Sequence, residues 1–591
     1  MKRIFAILMA CSAINAFAAV TLNKAEGWLE SAFVEWSHLS GATGYNVYYQ
    51  ADGSSNWIKL DNELVRCYGT YGRADVVGIS AGDYVMKVVP LSASGEMTDE
   101  AATTQKLFVK AYNREGYAHF GYTDGVGAYN DDGTLKSDAR VLYITSENAK
   151  TVSLDIIEKA GKTPVTHTGL QDILKGYEKG AETRPLDIRI IGTIEADDVD
   201  YFGSKKEGLQ IKGKNNTIAM NITLEGIGND AGIRGFGFLL RNAVSVELRN
   251  FAIMLCMDDC VSIDTDNLRI WVHNLDLFYG KTGSASDQAK GDGTVDLKGD
   301  SRYITISFNH FWDSGKSSLC GMKSETGPNW ITYHHNWFDH SDSRHPRVRT
   351  MSVHVWNNYF DGNSKYGVGV TTGACAFVDR NFFRNAHDPM MSSLCGTDAT
   401  GDGTFSKEEA GFIKAYGNVF AEKNTNGVKF QYIPWRAGLT SFDSYEVSDP
   451  AEQVPESVVE EYTKKDGTKA TASYNNFDTD PKLIYSYHPN AADDVPAVVT
   501  GSFGAGRMQH GDFSWTFDNT GEDANYAVIP ALKTAITNYT SSFLGYDWSK
   551  AAGLTKITSG TDKGQLYDLQ GRKSDNVKGF VIQDGKKHIY K

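Results

Sequence analysis

The sequence predicts an all-β protein: a β-solenoid of stacked short strands, preceded by a separate β-sandwich module. Three observations carry this expectation. An Asn-x-Phe pattern recurs through the middle of the chain, at Asn309/Phe311, Asn336/Phe338, Asn358/Phe360, Asn381/Phe383 and Asn418/Phe420. Residues 20–105 lack that pattern and instead alternate apolar and polar positions with period two. The composition, with 59 Gly, 12% aromatics and only 13 Pro in 591 residues, suits short strands and tight turns better than a helical bundle.

Each Asn-x-Phe copy follows a β-prone run, such as Ile304-Thr305-Ile306, Trp330 to Tyr333, Val353 to Trp356, Ala376-Phe377-Val378 or Phe412-Ile413-Lys414. Arg249-Asn250-Phe251 and His273-Asn274-Leu275 read as earlier, looser copies, and from Asn250 the successive intervals are 24, 35, 27, 22, 23 and 37 residues. A base period in the low twenties with loops added to some turns marks a solenoid, in which one coil cannot bury its apolar face and stacking supplies the core. The Asn side chains are expected to form a hydrogen-bonded ladder at a bend, a structural role. The long intervals carry insertions from Gly280 to Gly293 and from Asn385 to Gly411, and such insertions build the binding groove on one face.

The N-terminal segment has alternating runs at Phe33 to Trp36, Tyr45 to Tyr49 and Asp83 to Val89, separated by turns at Gly41 to Gly44 and Ala51 to Ser54. A lone Trp on an early strand and a Tyr before the last strand resemble a fibronectin type III module, expected to act as a spacer or packing partner, with sugar binding as the alternative. Beyond about residue 420 the repeat fades, and Tyr526 to Leu544 has helical spacing suited to packing on the solenoid end. The predicted organisation is a signal peptide at 1–18, the module at 19–108, the solenoid with its C-terminal loops and helix at 109–550, and a tail at 551–591 that resembles short C-terminal tails of exported Gram-negative proteins, with a small terminal hairpin as the alternative.

Met1-Lys2-Arg3, the apolar run Ile4 to Ile14 and Ala16-Phe17-Ala18 fit a secretory signal peptide, and the run is too short for a membrane anchor. A lipoprotein-like reading at Leu8 to Cys11 is the weaker alternative, because cleavage there leaves a very short hydrophobic region. The mature protein is therefore expected to be secreted, extracellular or periplasmic, with the cell surface as the alternative, and without a membrane span. Export permits disulfides among Cys67, Cys256, Cys260, Cys320, Cys375 and Cys395, but spacing does not give their pairing, and buried free thiols are an equal alternative. A formal charge of -14 argues against a nucleic-acid or anionic-membrane partner. An acidic protein can still hold a polyanion where its cleft is locally basic or carries a cation.

Three segments place charge inside β-rich coils: Asp258 to Asp264, Asp292 to Gly299, and Ser343 to Arg349, with Lys316 between the last two. Asp292 and Asp296 are four apart, which puts both on one face of an extended strand, while a turn at Gly293 is the other way to bring them together; Asp259 lies one or two coils earlier. Clustered carboxylates repel unless a cation neutralises them, and hard oxygen donors suit calcium; solvated turn aspartates are the alternative on spacing alone. Arg344, Arg347 and Arg349 form the densest positive cluster of this acidic chain, and Pro346 must bend it if Arg344 and Arg349 are to share a groove.

Val295-Asp296-Leu297-Lys298-Gly299, the coil Ile304 to Asn309, Tyr333-His334-His335-Asn336 and Arg344-His345-Pro346-Arg347-Val348-Arg349 resemble polysaccharide lyase family 1, the pectate lyases. The resemblance covers roughly 115–420 and is most specific over 255–385; Gly232 to Gly237 resembles the turn that opens the family's central coils. It implies a right-handed parallel β-helix and calcium-assisted β-elimination on polygalacturonate, by a monomer with Ca2+ as cofactor. It further implies Asp259, Asp292 and Asp296 as metal ligands, Arg344 as general base, Lys316 at the cleavage point, and Arg349 and Lys298 as substrate-binding. Arginine is ordinarily protonated, so activity is expected to rise above neutral pH. Pectin lyase, solenoid hydrolase and non-enzymatic sugar binder are the competing readings.

Two further motifs point elsewhere. Asp398 to Glu409 has EF-hand-like ligand spacing but sits between solenoid strands rather than helices, so a groove-edge loop is the expectation. His334, His335 and His345 sit at repeat positions and are expected to pack rather than to transfer protons.

Overall fold

The computed structural model describes residues 19–401, 405, 407–508 and 513–551, with the backbone of three C-terminal strands, Leu566–Tyr567, Gly579–Gln583 and Lys586–Tyr590. The predicted signal peptide lies outside the described residues, as do 402–404 and 406 of the EF-hand-like loop and most of the tail. The three tail strands pair antiparallel.

From Arg140 onward the chain winds into a parallel β-helix with three ladders. One runs from Arg140–Ile144 through Leu268–His273, Arg302–Ser307, Ser352–Trp356 and Phe412–Tyr416 to Tyr445–Glu446. A second runs through Ala252–Met254, Asp276–Leu277, His310–Trp312 and Tyr359–Asp361 to Val419–Ala421. The third, eight strands from Gly208–Lys212 to Asp388–Ser392, includes Val261–Ile263, Val295–Leu297, Leu319–Cys320 and Arg347–Arg349.

The recurrent residues hold the coils together. Asn309 Nδ2 donates to Asn336 Oδ1 (3.1 Å), Asn336 to Asn358 (2.9 Å), Asn358 to Asn381 (3.0 Å) and Asn381 to Asn418 (3.0 Å). The paired phenylalanines stack inside, with centroids 4.8 Å apart for Phe311–Phe338 and 4.2 Å for Phe360–Phe383. Asn250 and Asn274 stand one position out of this register. They have φ of 64° and 49°, as do the residues preceding each ladder Asn: Phe308 (52°), His335 (51°) and Asn357 (49°). The ladder position in that coil is Leu275, whose N–H donates to Asn309 Oδ1. Asparagine tolerates the left-handed region, so one residue type serves two adjacent positions of the bend.

The N-terminal residues form two antiparallel sheets that fit a β-sandwich, one of four strands and one of six, around Trp36, Val34, Val47 and Val88. That core continues into Ile191 and Ile227 of the solenoid and Trp548 near the C-terminus. The helix Pro530–Asn538 does not cap the solenoid end as its spacing predicts. Leu532 and Ile536 pack against Met254, Phe278 and Trp312, on the flank. The amphipathic helix Leu170–Tyr177 instead buries Ile173 and Leu174 in the solenoid core near its start. Among the described residues no helix is long and apolar enough to cross a membrane.

Candidate active site

The charged residues meet where strands of the third ladder begin. Backbone hydrogen bonds step across successive coils from Cys260 N to Gly293 O, Thr294 N to Lys316 O and Ser318 N to Arg344 O. The three charged segments separated in sequence are therefore stacked neighbours. In Val295–Leu297 the flanking residues are fully buried and Asp296 alternates to the other face, as it must in a pleated strand. Asp292 is not on that strand. It ends the Gly280-to-Gly293 insertion, and the turn rather than strand parity brings it near.

Oxygen atoms of Asp258, Asp259 and Asp292 lie within 4.8 Å of one another. Asp296 belongs to the same neighbourhood: Lys298 Nζ is 2.5 Å from Asp259 Oδ2 and 3.6 Å from Asp296 Oδ2. Leu319 N–H donates to Asp296 Oδ1 at 2.9 Å. Gly293 makes room for that carboxylate, since a Cβ there would lie 2.3 Å from Asp296 Oδ1. Sequence reasoning chose Asp259, Asp292 and Asp296; Asp258 was visible in the same run but not selected.

The electrostatics record an excess of negative charge. Burial, with Asp259 and Asp292 beside it, pushes Asp258 up to about 6. Burial and the Asp259 carboxylate likewise raise Asp296. Burial works to raise Asp292 as well, but Lys316, Gln288 and Arg344 outweigh it and hold that carboxyl below its ordinary range. Lys298 is raised against its burial by Asp296 and Asp259. Four carboxylates thus share two contacting ammonium groups, those of Lys298 and Lys316. An all-oxygen donor set whose carboxylates outnumber the ammonium groups beside them fits a hard divalent cation such as calcium.

Beside the carboxylates lies a cavity of about 560 Å³, lined in part by Lys316, Arg344, Arg347, Lys365 and His387. Lys316 Nζ is 3.2 Å from Asp292 Oδ1 and 3.0 Å from Asp287 Oδ2. Arg344 takes a left-handed φ of 63°, so the chain turns before the strand Arg347–Arg349 begins. On that strand Val348 faces the core and the two arginines face out. Arg349 is not among the cavity-lining residues. Its Nε and Nη2 each donate to the Glu408 carboxylate at 2.8 Å, a bidentate pair with the second insertion. Arg347 does line the cavity. Its Nε and Nη2 make no hydrogen bond, although Nη2 lies 3.3 Å from Glu408 Oε2.

A family model described as "Pectate lyase" matches residues 185–506, more than half of the chain. The chain belongs to the pectate lyase family. A pectate trisaccharide-lyase of Bacillus licheniformis is 32% identical over 238 residues, spanning 40% of this chain and 66% of that relative, just under two thirds of its length. Pectate lyase 3 of Pectobacterium carotovorum is 27% identical over 320 residues, 53% of this chain and 78% of that one. Among solved structures, pectate lyase Bsp165PelA from Bacillus sp. N165 in complex with trigalacturonate is 21% identical, with a TM-score of 0.42, and covers 67% of this chain and all of that one.

Around this cluster, several residues that the sequence reading missed hold the groove together. Lys290, on the same insertion as Asp292, is buried and donates to Asp313 (2.5 Å) and Asp342 (2.8 Å). Asp342 sits two residues before Arg344, so one ammonium ties the loop carrying Asp292 to the loop carrying Arg344. Gly291, at φ 107°, lets the neck of the insertion close: a Cβ there would lie 2.7 Å from Gly280 Cα. Nothing local in the sequence marks these pairs, because each partner comes from another coil.

The histidines pack. His334 stacks on Trp356 with centroids 4.6 Å apart, and His345 Nδ1 lies 2.8 Å from Tyr366 O. Burial depresses His335 to about 4 and His345 to about 3, so both are neutral at physiological pH. In the EF-hand-like loop, Glu408 serves the arginines and Glu409 lies 2.9 Å from Lys464. Among the described residues a 3-10 turn, Gly396–Asp398, and no α-helix borders it.

Proposed function

We propose that the chain is a secreted pectate lyase that cleaves α-1,4-polygalacturonate by calcium-assisted β-elimination and leaves unsaturated oligogalacturonides. The observation that carries this reading is the meeting of clustered carboxylates and a cavity lined by Lys316 and Arg344 on adjacent coils. Asp258, Asp259, Asp292 and Asp296 would hold the calcium ion. Bound there, it would act as a Lewis acid on a substrate carboxylate and steady charge developing at the adjacent carbon.

The chain's own residues supply the remaining roles. Lys316 is held at the mouth of the carboxylate cluster by Asp292 and Asp287 and presents its charge to the uronate being cleaved. Arg344 takes the C5 proton. The electron pair released forms the C4–C5 double bond as the C4–O bond breaks, and the departing oxygen takes a proton from water. A guanidinium must first lose its own proton to act this way, which favours alkaline conditions. Lys298 and Arg349 are the further substrate-binding residues of this proposal, and Arg347 joins them from its place in the cavity wall. Fixed positive charge aimed at a developing dianion lowers the barrier without reorganisation at the moment of reaction. The charge of the cavity wall is also what admits a polyanion to an acidic protein.

The same reading takes 1–18 as a signal peptide, 19–108 as a fibronectin type III-like module, 109–550 as the lyase domain and 551–591 as a tail. A role for the module as a packing partner is supported by its shared core with the solenoid.

The test is scission of polygalacturonate, followed by the ultraviolet absorbance of the unsaturated uronide during a calcium titration, with Arg344→Ala alongside. Loss of activity in chelator, restoration by calcium and collapse in the variant are expected. Full activity in chelator favours a pectin lyase, and new reducing ends without unsaturation favour a hydrolase. Binding without scission overturns the enzyme reading.

A further inference from the structure

Cys256 and Cys260 bracket the corner that carries Asp258 and Asp259. Both thiols are buried in the solenoid core, each 1% exposed. Their sulfur atoms are 2.7 Å apart. That is closer than unbonded sulfurs pack, and within about 0.7 Å of the S–S bond length of about 2.05 Å. The other thiols of the solenoid have different neighbours. Cys320 Sγ lies 3.3 Å from Met351 Sδ, Cys375 Sγ faces Ser473 O and Cys395 Sγ faces Glu461 O.

The surroundings hold the two sulfurs in place. Cys256 follows the strand Ala252–Met254 and Cys260 precedes Val261–Ile263, so both backbone ends are fixed by ladders on successive faces of one coil. Cys260 N–H donates to Gly293 O in the next coil. Gly280, at the neck of the insertion that ends at Asp292, packs so closely that a Cβ there would lie 3.2 Å from Cys256 Sγ. The pair therefore touches both sequence segments that supply the clustered carboxylates.

We propose that Cys256 and Cys260 form an intramolecular disulfide that clamps the Asp258–Asp259 corner. The bond forms by thiol–disulfide exchange with a small-molecule or protein disulfide while the coil is still open. Two S–H bonds are lost and one S–S bond is made; the donor disulfide is reduced and leaves as two thiols carrying the two protons. Closing a corner of five residues removes backbone freedom from two carboxylates that repel each other, so their spacing is set before any cation arrives. The clamp's effect on cation binding rests on the metal reading given above, whereas the bond itself does not.

The covalent claim is tested on the full chain produced in an oxidising compartment, denatured in the presence of an alkylating agent and digested with trypsin. Residues 250–269 form one tryptic peptide containing these two cysteines and no others. It is expected two hydrogen masses light and unalkylated, and to take two alkyl groups only after reduction. Full alkylation without reduction, in protein refolded with oxidised glutathione, overturns the bond. The clamp is tested by calorimetric calcium titration of the oxidised protein, the reduced protein and Cys256→Ala/Cys260→Ala. Several-fold weaker binding in the last two, with unchanged circular dichroism, is expected; equal affinity in all three overturns the clamp and leaves the bond standing. Absence of calcium binding in every form, with the light peptide present, overturns the metal reading instead.

Discussion

Replacing Lys290 by methionine removes an ammonium that joins the two sides of the groove. The lysine side chain is 2% exposed, and its partners Asp313 and Asp342 are 1% and 3% exposed. Truncating one member of such a buried set leaves the other charges desolvated and costs about 3–5 kcal/mol. Some compensation remains. The Tyr279 hydroxyl hydrogen-bonds Asp313, while Ser364 and Lys365 reach Asp342, the lysine at 3.7 Å. Burial also raises Asp313 to about 7 despite Lys290, so in the variant it can protonate. A folded-state pKa above the unfolded value gives stability that is present at low pH and lost as pH rises. The loss in Lys290→Met should therefore be near 3 kcal/mol at about pH 8 and smaller at about pH 5. Denaturant unfolding followed by tryptophan fluorescence reads both, and adding Asp313→Asn should recover part of the loss at the higher pH. Calcium affinity should also drop several-fold, because Asp292 is two residues away on the same insertion. An unfolding midpoint equal to wild type at the higher pH, or a loss that does not depend on pH, would refute the reasoning.

Three other outcomes are expected. Gly293→Ala puts a Cβ 2.3 Å from Asp296 Oδ1 and should weaken calcium binding about tenfold, ~1.4 kcal/mol, by calorimetry, with little change in circular dichroism. Asn336→Ala removes a buried side chain that donates to Ile306 O and Asn358 Oδ1 and accepts from Asn309. It should cost at least about 3 kcal/mol in a denaturant titration, since each stranded group costs about 1–3 kcal/mol. Calcium affinity should fall as pH drops through about 6, where Asp258 takes up a proton. The raised Asp296 should make the calcium-free protein lose stability as pH climbs from the ordinary aspartate range toward neutral, and added calcium should restore it. Calorimetry across pH and thermal unfolding with and without chelator check both halves.

The solenoid was legible because its repeated letters do repeated work. A Phe at each Asn-x-Phe stacks on the Phe of the next coil, and each Asn satisfies backbone and side chain one coil away, so both positions are under the same constraint every turn. The one-residue error at Asn250 and Asn274 has the same root. The residue before the ladder position needs positive φ, asparagine meets that need as well, and pattern alone does not separate the two roles. The C-terminal helix shows the opposite limit. An amphipathic period reveals that Pro530–Asn538 buries a face, yet Trp312 and Met254 receive it from more than 200 residues away.

At the site, what could be read were the residues whose neighbours in sequence are also their neighbours in space. Asp296 and Lys298 share a strand end, and Arg344 to Arg349 share a turn. Their partners were hidden: Arg349 is held by Glu408, 59 residues on, and Lys290 by Asp342, 52 residues on. This division bears on how an acidic chain grips a polyanion. Three of the basic side chains near the carboxylates are already committed, Lys298 to Asp259 and Asp296, Lys316 to Asp292 and Asp287, Arg349 to Glu408. Each commitment fixes a cation's position at the expense of its free charge. A divalent ion among the four carboxylates would cancel their surplus and loosen the hold on Lys298 and Lys316, making both more available to a uronate. On the proposed reading a cation requirement would follow from the ion pairs themselves, and the groove would gain attraction for a uronate in the same step that fills the carboxylate cluster.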